Sequence, residues 1–373
     1  MLFYFPFVIT FYIVLTGVLY YFWLKIPSFK ITEEEKKITK ISVVIAVRNE
    51  SGKIELLLDD LENQSYSKND FEVLIIDDHS EDTTSLIVKD FIAKSALNIR
   101  LLKVPQGLTG KKNAMVEGIK NVTGVLIITT DGDCRVGKKW LESLENFYRA
   151  KRLKMVIGGV CFFKGKTWRE KILELEFSSL VGSGAASLQM GYPSMCNGAN
   201  LAYEKQAFIE VNGYEDTGRL ASGDDEFLMH KIYRKYPGQV AFIKNKESIV
   251  ETEAPTSWKA FFEQRRRWAS KWENYTYTHI KLLALLVFAS NLAIVLNFLL
   301  SPAKSYPLLT FLIFLTFKFM LEFLFLRSVL VYFGRKVNVR VFILVEMIYP
   351  FYVILFALAG RTGKYKWKDR DVK

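Results

Sequence analysis

Ile41-Ser-Val-Val-Ile-Ala-Val47 is an uncharged run rich in β-branched residues, and its reading decides the fold. A run with no polar alternation is typical of a strand buried on both faces, as in parallel sheets. It stops at Arg48-Asn49-Glu50, and a helical pattern follows through Leu56, Leu57, Leu58 and Leu61. Working outward, residues 72–76 read as a second strand ending at Asp77-Asp78-His79-Ser80, with a helix from about 81 to 94. A third strand runs near 99–104, and Gly110-Lys111-Lys112-Asn113-Ala114 opens another helix. A fourth strand, 124–130, ends at Asp131-Gly132-Asp133. This alternation predicts an α/β fold with a mostly parallel sheet and helices on both faces. In such sheets ligands bind at the carboxyl ends of the strands, where the first two acidic motifs fall.

Clustered carboxylates raise one another's pKa unless a cation intervenes, so acids at strand ends call for a metal, a basic partner or catalytic work. Asp131-Gly132-Asp133 can offer one carboxylate to a metal and the other to a ribose or diphosphate, although Asp-Gly is also ordinary turn chemistry. Asp78 can accept hydrogen bonds from a nucleotide base edge, or serve as a helix cap or turn residue. Lys111, beside Gly110 at a helix start, can reach a diphosphate together with free backbone N–H groups, or stand solvated. Gly223-Asp224-Asp225-Glu226 sits at a helix N-terminus, where the dipole favours acids. Three adjacent acids exceed what capping requires, and Asp225 is the candidate general base. Gln264-Arg265-Arg266-Arg267-Trp268 joins phosphate-binding forks to an aromatic face, and reads equally as a basic helix at a membrane surface. No Gly-x-Gly-x-x-Gly and no P-loop occur, which argues against dehydrogenase and kinase folds.

The chain has 373 residues, half of them apolar and 24% charged, with a net charge of +12. That division fits a chain shared between water and lipid. No nucleic-acid motif appears, so the positive excess is assigned to membrane lipids and phosphate ligands and no nucleic-acid partner is expected. Cys134, Cys161 and Cys196 form no disulfide framework or metal spacing, which suits a reducing compartment. Residues 1–24 carry no charge and read as an uncleaved anchor. Further apolar segments lie near 280–300, 307–327 and 341–360, the last interrupted by Pro350 and open to a hairpin reading. Ser301-Pro302 and Pro307 mark a turn between two of them. Lys25, Lys30, Lys36, Lys37 and Lys40 follow the first span, so residues 25–279 are expected to face the cytoplasm. Amphipathic stretches near 167–185 and 256–275 suit interfacial helices, and 280–360 is the membrane region before a basic tail, 361–373. Lys318 and Glu322, at i, i+4, and Glu346 fall at membrane depth, where ionisable residues are candidates for acceptor or lipid passage, Lys318 and Glu322 reading equally as a mutually neutralising pair.

Over about residues 41–275, the order of these motifs resembles the membrane-embedded family 2 inverting glycosyltransferases, which include cellulose synthase, hyaluronan synthase and ceramide glucosyltransferase. The resemblance implies a GT-A-like nucleotide-diphospho-sugar transferase fold. Val44-Ile-Ala-Val-Arg-Asn-Glu50 resembles the family's opening strand and nucleotide loop, which implies cofactor-side roles for Asn49 and Glu50. Asp78 matches the aspartate that contacts the base, and Gly110-Lys111 the Gly-Lys element. Asp131 and Asp133 match the Asp-x-Asp, with Asp133 implied as the principal ligand of Mg²⁺ or Mn²⁺. Asn197-Gly198-Ala199-Asn200 resembles the segment lining the acceptor site, which brings in Gly198. Asp225 falls where the base stands, with Asp224 before it in place of the usual glutamate. Gln264, Arg267 and Trp268 match the Gln-x-x-Arg-Trp. Ala46 replaces a frequent proline.

The expectation is therefore a metal-dependent, membrane-bound inverting glycosyltransferase of a plasma or inner membrane. Its donor is a nucleotide-diphospho-sugar, UDP-sugar favoured, and its acceptor a lipid or saccharide hydroxyl. Four spans favour a single transfer onto a lipid. The Gln-x-x-Arg-Trp run draws towards the alternative, a processive polysaccharide synthase. The second alternative, a catalytically silent membrane scaffold or transport partner, is opposed by intact carboxylates at all three sites.

Overall fold

The computed structural model describes residues 4–31, 38–215, 223–270, 277–300, 308–359, 365–367 and 370–372. It begins with α1 (Tyr4–Lys25), followed by β1 (Ile41–Val47), α2 (Ile54–Glu62), β2 (Phe71–Asp77), α3 (Thr84–Lys94) and β3 (Asn98–Lys103). Next come α4 (Lys111–Lys120), β4 (Leu126–Asp131), β5 (Arg135–Val136), α5 (Trp140–Lys151), β6 (Met155–Ile157) and β7 (Val160–Phe162). The long α6 (Trp168–Gln189) precedes β8 (Leu201–Glu204), α7 (Lys205–Glu210), α8 (Asp224–Lys235), β9 (Val240–Phe242) and β10 (Val250–Thr252). Four helices follow: α9 (Trp258–Ala269), α10 (Thr278–Leu300), α11 (Leu308–Tyr332) and α12 (Val339–Ala359). The chain divides into a sheet unit, mainly Pro27–Phe163 with Met195–Glu253, and a helical unit of Met1–Ile26, Lys164–Ser194 and Ala254–Tyr365.

The sheet unit is built on seven strands in the order β3-β2-β1-β4-β8-β6-β9. The first four run parallel, β8 is antiparallel to both neighbours, and β6 and β9 are parallel. The β1 run is almost wholly buried and every residue of β2 is buried, as expected of central strands covered on both faces. Register decides where the acids land. Val47 lies opposite Asp77, and Ala46 opposite Asp131, so the strands on both sides of β1 end in aspartate at one edge. Ile54, Leu57, Leu58 and Leu61 form the buried face of α2 at helical spacing, each such side chain contributing about 2 kcal/mol. A smaller sheet, β5-β10-β7, belongs to the same unit.

Among the described residues, the helical unit contains four helices long and apolar enough to cross a membrane: Pro6–Lys25, Thr278–Leu299, Leu308–Tyr332 and Val339–Ala359. The shortest has 20 residues, enough for about 30 Å at about 1.5 Å per residue. α12 continues as helix through Pro350, so the hairpin reading does not hold. The stretch near 167–185, expected as an interfacial helix, lies within α6. α6 packs against α1, α11 and α12, and its buried residues fall all around the helix. Gly182 brings α6 close to α11: a Cβ there would lie 2.5 Å from Val329 Cγ2. Consequently the interval 25–279 is divided, with α6 and α9 joining the apolar helices.

Within this unit Lys318 Nζ reaches Glu322 Oε2 and Glu346 Oε2, each at 2.5 Å, and Tyr12 Oη donates to Glu322 Oε1 at 2.6 Å. Lys318 thus pairs with Glu322, its neighbour at i, i+4, and with Glu346 of α12 as well. Lys36, Lys37, Ser301, Pro302, Pro307 and the tail residues Arg361, Lys364, Lys368 and Lys373 lie outside the described residues.

Candidate active site

The strand ends become a site through the loops that leave them. After β1, Asn49 adopts a left-handed backbone with φ 52°, and after β2 so does His79 with φ 53°. Left-handed asparagine and histidine are tolerated where neighbours fix them. Here the fixing is mutual. Asn49 N–H donates to Ser80 Oγ at 3.0 Å, and Asn49 Oδ1 accepts from Glu81 N at 2.9 Å. Glu50 N–H donates to Thr84 Oγ1 at 2.8 Å, and that hydroxyl donates to Asp82. Arg48, almost fully buried, donates to the carbonyls of Asp78 and His79 and pairs with Glu81. Asn49 thus holds the loop and Arg48 clamps it. The run Val-Arg-Asn-Glu gave no sign that its arginine would turn inward, because its acceptors are carbonyls of another loop.

Asp78 is fully buried, and its Oδ2 accepts the N–H of Gly110 at 2.9 Å. Gly110 has φ 98°, a conformation open to glycine, and caps the start of α4. The next residue, Lys111, forms an ion pair with Asp131 at the end of β4. Burial works against the Lys111 ammonium, but Asp131, with Asp225 behind it, outweighs this and carries its pKa up to about 12. Lys111 therefore stays charged across the physiological range.

Gly132 is required by space: a Cβ there would lie 2.9 Å from Val47 Cγ1 and 3.2 Å from Glu50 Cγ. The turn thereby packs against the end of β1, where Asp131 lies opposite Ala46. Cys134 follows, and burial together with those two aspartates pushes its thiol far up, so it stays protonated.

The later acids arrive from a distant part of the chain. Thr129 Oγ1 on β4 donates to the carbonyl of Gly198 at 2.7 Å. Gly198 N–H donates to Asp225 Oδ2 at 2.7 Å, and Asp225 Oδ1 accepts the N–H of Glu226 at 3.0 Å. Asp225 is the second residue of α8, and Asp224 the first. Asn200 plays a structural part: its amide bonds the carbonyls of Gly159 and Ser248 and accepts from Trp140 Nε1. The structure thus links Asp78 to Gly110, Lys111 and Asp131, and Gly198 to Asp225, with Lys111 feeling both acids.

Among the described residues, no group of three or more histidine, cysteine, aspartate or glutamate side chains converges on one point. Mg²⁺ characteristically takes one or two carboxylates with the remainder from substrate phosphates and water, and does not need an all-protein cage. Asp133, with Asp131 beside it, offers that kind of oxygen donor set, so the residues fit a divalent ion arriving with a diphosphate.

Gln264, Arg267 and Trp268 lie on α9 and belong to the helical unit. The first of the three arginines, Arg265, is the buried one. Its Nε donates to Glu176 Oε1 on α6 at 2.7 Å and its Nη2 pairs with Glu176 Oε2. Its guanidinium lies 4.1 Å from the centroid of Trp268 and 4.7 Å from that of Phe261. One face of Trp268 is therefore occupied by Arg265. Sequence reasoning missed Arg265 and Glu176. The available signal was the i, i+4, i+7 spacing of Phe261, Arg265 and Trp268, which puts this arginine on an aromatic face.

Residues 42–211 match the family described as glycosyl transferase family 2. Glycosyltransferase AglE of Haloferax volcanii is 32% identical over 195 residues, covering 50% of this chain and 58% of that protein. Poly-beta-1,6-N-acetyl-D-glucosamine synthase of Staphylococcus epidermidis is 25% identical over 261 residues, covering 68% of this chain and 61% of that one. The chain thus spans about three-fifths of the length of these relatives. Among solved structures, mannosyltransferase PcManGT from Pyrobaculum calidifontis, in complex with GDP-Man and Mn²⁺, superposes with a TM-score of 0.56. The match covers 95% of this chain and 96% of that one at 16% identity, and shows a shared GT-A-like fold.

Proposed function

We propose, for a chain whose residues 42–211 are a glycosyl transferase family 2 domain, that it is a membrane-bound inverting glycosyltransferase that adds one sugar to a lipid hydroxyl. The observation that supports this best is the linkage of Asp78, Lys111 and Asp131 at one edge of the sheet with Asp225 near the same lysine. A nucleotide-diphospho-sugar, with a uridine nucleotide favoured, lies over the strand ends. Asp78 and the Asn49–Glu50 loop border the nucleotide, and Lys111 and the N-terminal end of α4 face the diphosphate. Asp133, with Asp131, would hold a divalent cation, Mg²⁺ or Mn²⁺, which would supply neutralisation of the charge on the departing diphosphate.

Asp225 acts as general base. The acceptor oxygen attacks the anomeric carbon, its proton passes to the Asp225 carboxylate, and the bond to the diphosphate oxygen breaks with the electron pair leaving on the diphosphate. One displacement inverts the anomeric centre. The hydrogen bond from Gly198 N–H aims Asp225 Oδ2 and ties it to the segment assigned to the acceptor. Asp224 adds negative charge beside the base. Gln264, Arg267 and Trp268 are assigned to the acceptor and the departing diphosphate.

The lipid acceptor is favoured over a growing polysaccharide by the intramembrane charges. Lys318, Glu322, Glu346 and Tyr12 are satisfied by one another, which leaves them poorly suited to line a path for a hydrated polymer. Lys25, Lys30 and Lys40 beside α1 support a cytoplasmic sheet unit.

Native membranes incubated with a panel of radiolabelled nucleotide sugars test the proposal. One sugar per lipid, extracted into organic solvent, is expected. A ladder of water-soluble products would favour the processive synthase, and no transfer from any donor would favour the silent scaffold.

A further inference from the structure

Resting on the transferase reading above, we infer that Glu176 is a positioning residue for the Gln264–Trp268 run and acts through Arg265. Gln264, Arg267 and Trp268, at i, i+3 and i+4, share one side of α9. Nothing in that spacing fixes their rotamers. Arg265 supplies the fixing. Its Nη1 donates to Gln264 Oε1 at 2.7 Å, and its guanidinium plane covers the Trp268 ring at 4.1 Å. A single guanidinium thus restrains two of the three side chains assigned to the reaction.

An arginine does this only if its own plane is fixed. Arg265 is 4% exposed and Glu176 is 8% exposed, so water cannot substitute for the partner. The fork-to-fork contact with Glu176 fixes both position and tilt, which a point charge cannot do. Glu176 is held in turn: Tyr352 Oη on α12 donates to its Oε1 at 2.8 Å. Phe261 stacks on Tyr352 with centroids 6.1 Å apart, closing the assembly around the guanidinium. The order of command runs from α12 through Glu176 to Arg265, and from Arg265 to Gln264 and Trp268.

Glu176→Ala, Glu176→Gln, Trp268→Ala and the double variant Glu176→Ala/Trp268→Ala are compared with wild type in native membranes. Transfer is followed, and uridine diphosphate binding is measured with Mn²⁺ by calorimetry on detergent-purified protein. Glu176→Ala should lower kcat about 100-fold, as expected for a reacting group displaced by about 1 Å, and leave the Kd for uridine diphosphate unchanged. Glu176→Gln keeps the shape and one acceptor, should recover part of the rate, and carries the test if Glu176→Ala does not fold. In the Trp268→Ala background, Glu176→Ala should cost at least severalfold less than in wild type, because one of the two side chains that Arg265 restrains is gone. Wild-type rates in folded Glu176 variants would overturn the inference. An equal loss in both backgrounds would do the same. Inert wild-type membranes would instead overturn the transferase reading, and this inference with it.

Discussion

Asp225 Oδ2 and the backbone N–H of Gly198 are 2.7 Å apart, although 27 positions separate them in the chain. The contact joins the first turn of α8 to the segment after α6, and Thr129 on β4 anchors the other side of Gly198. The proposed base is therefore held from the sheet.

Asp225→Asn keeps the shape and an oxygen able to accept the Gly198 N–H, and removes the basic site. Turnover should fall at least about 100-fold, the lower range for a lost general base, with little change in melting temperature. Nucleotide diphosphate binding by calorimetry should persist. A variant that still turns over at near wild-type rate would remove Asp225 from the mechanism.

Asp133→Ala deletes the carboxylate assigned to the divalent ion. Uridine diphosphate binding should lose its dependence on Mn²⁺, with affinity in the presence of Mn²⁺ about 10-fold weaker or worse. Titrations with and without the ion compare the two proteins directly. Equal Mn²⁺ dependence in both would assign the ion elsewhere.

Asp82 supports the nucleotide loop at one remove. Slight burial works against its charge, but donors from Thr84 and Ser51 outweigh this and bring its pKa down to about 2. A depressed carboxylate contributes stability above its ordinary pKa of 3.8, and the contribution disappears as pH falls through about 2. Asp82→Ala should be less stable than wild type at pH 7 by at most about 1 kcal/mol, since the group is exposed. Unfolding curves should converge towards pH 2, and the donor KM at pH 7 should rise severalfold. A stability gap independent of pH would contradict the assigned hydrogen bonds.

In the helical unit one ammonium faces two carboxyl groups. Lys318→Met leaves both acids without their cation and should cost about 3–5 kcal/mol. Glu346→Gln leaves one ion pair and should cost no more than about 1 kcal/mol. Thermal unfolding in detergent ranks the two variants, and equal destabilisation would show that charge balance is not what the cluster provides.

Local pattern carried the first half of the sheet unit. The β1 run gave its own limits, and the acids at 77–78 and 131–133 ended strands because the continuous apolar run stops there. The second half depended on long-range pairing. β8 runs antiparallel between β4 and β6, and nothing in Leu201–Glu204 announces its direction. The Asp225–Gly198 contact was beyond local reading for the same reason, and Gly198 entered only by resemblance. α6 was read as two-faced because Trp, Arg and Lys cluster at its start. Two of its three glutamates proved instead to be buried partners of arginines: Glu176 pairs with Arg265 and Glu174 with Arg335. Charge in a helix reads as exposure until the partner from another helix is known.

The grip on Lys318 from both α11 and α12, with Tyr12 of α1 on one of the same acids, sets the depth at which three helices meet. A slip of α12 by one turn, about 5.4 Å, would part Glu346 from Lys318 in surroundings with no water to replace either. Vertical sliding is thereby penalised while tilting about the contact is not. The bundle is keyed like a pivot, free to rock around one level and resistant to telescoping.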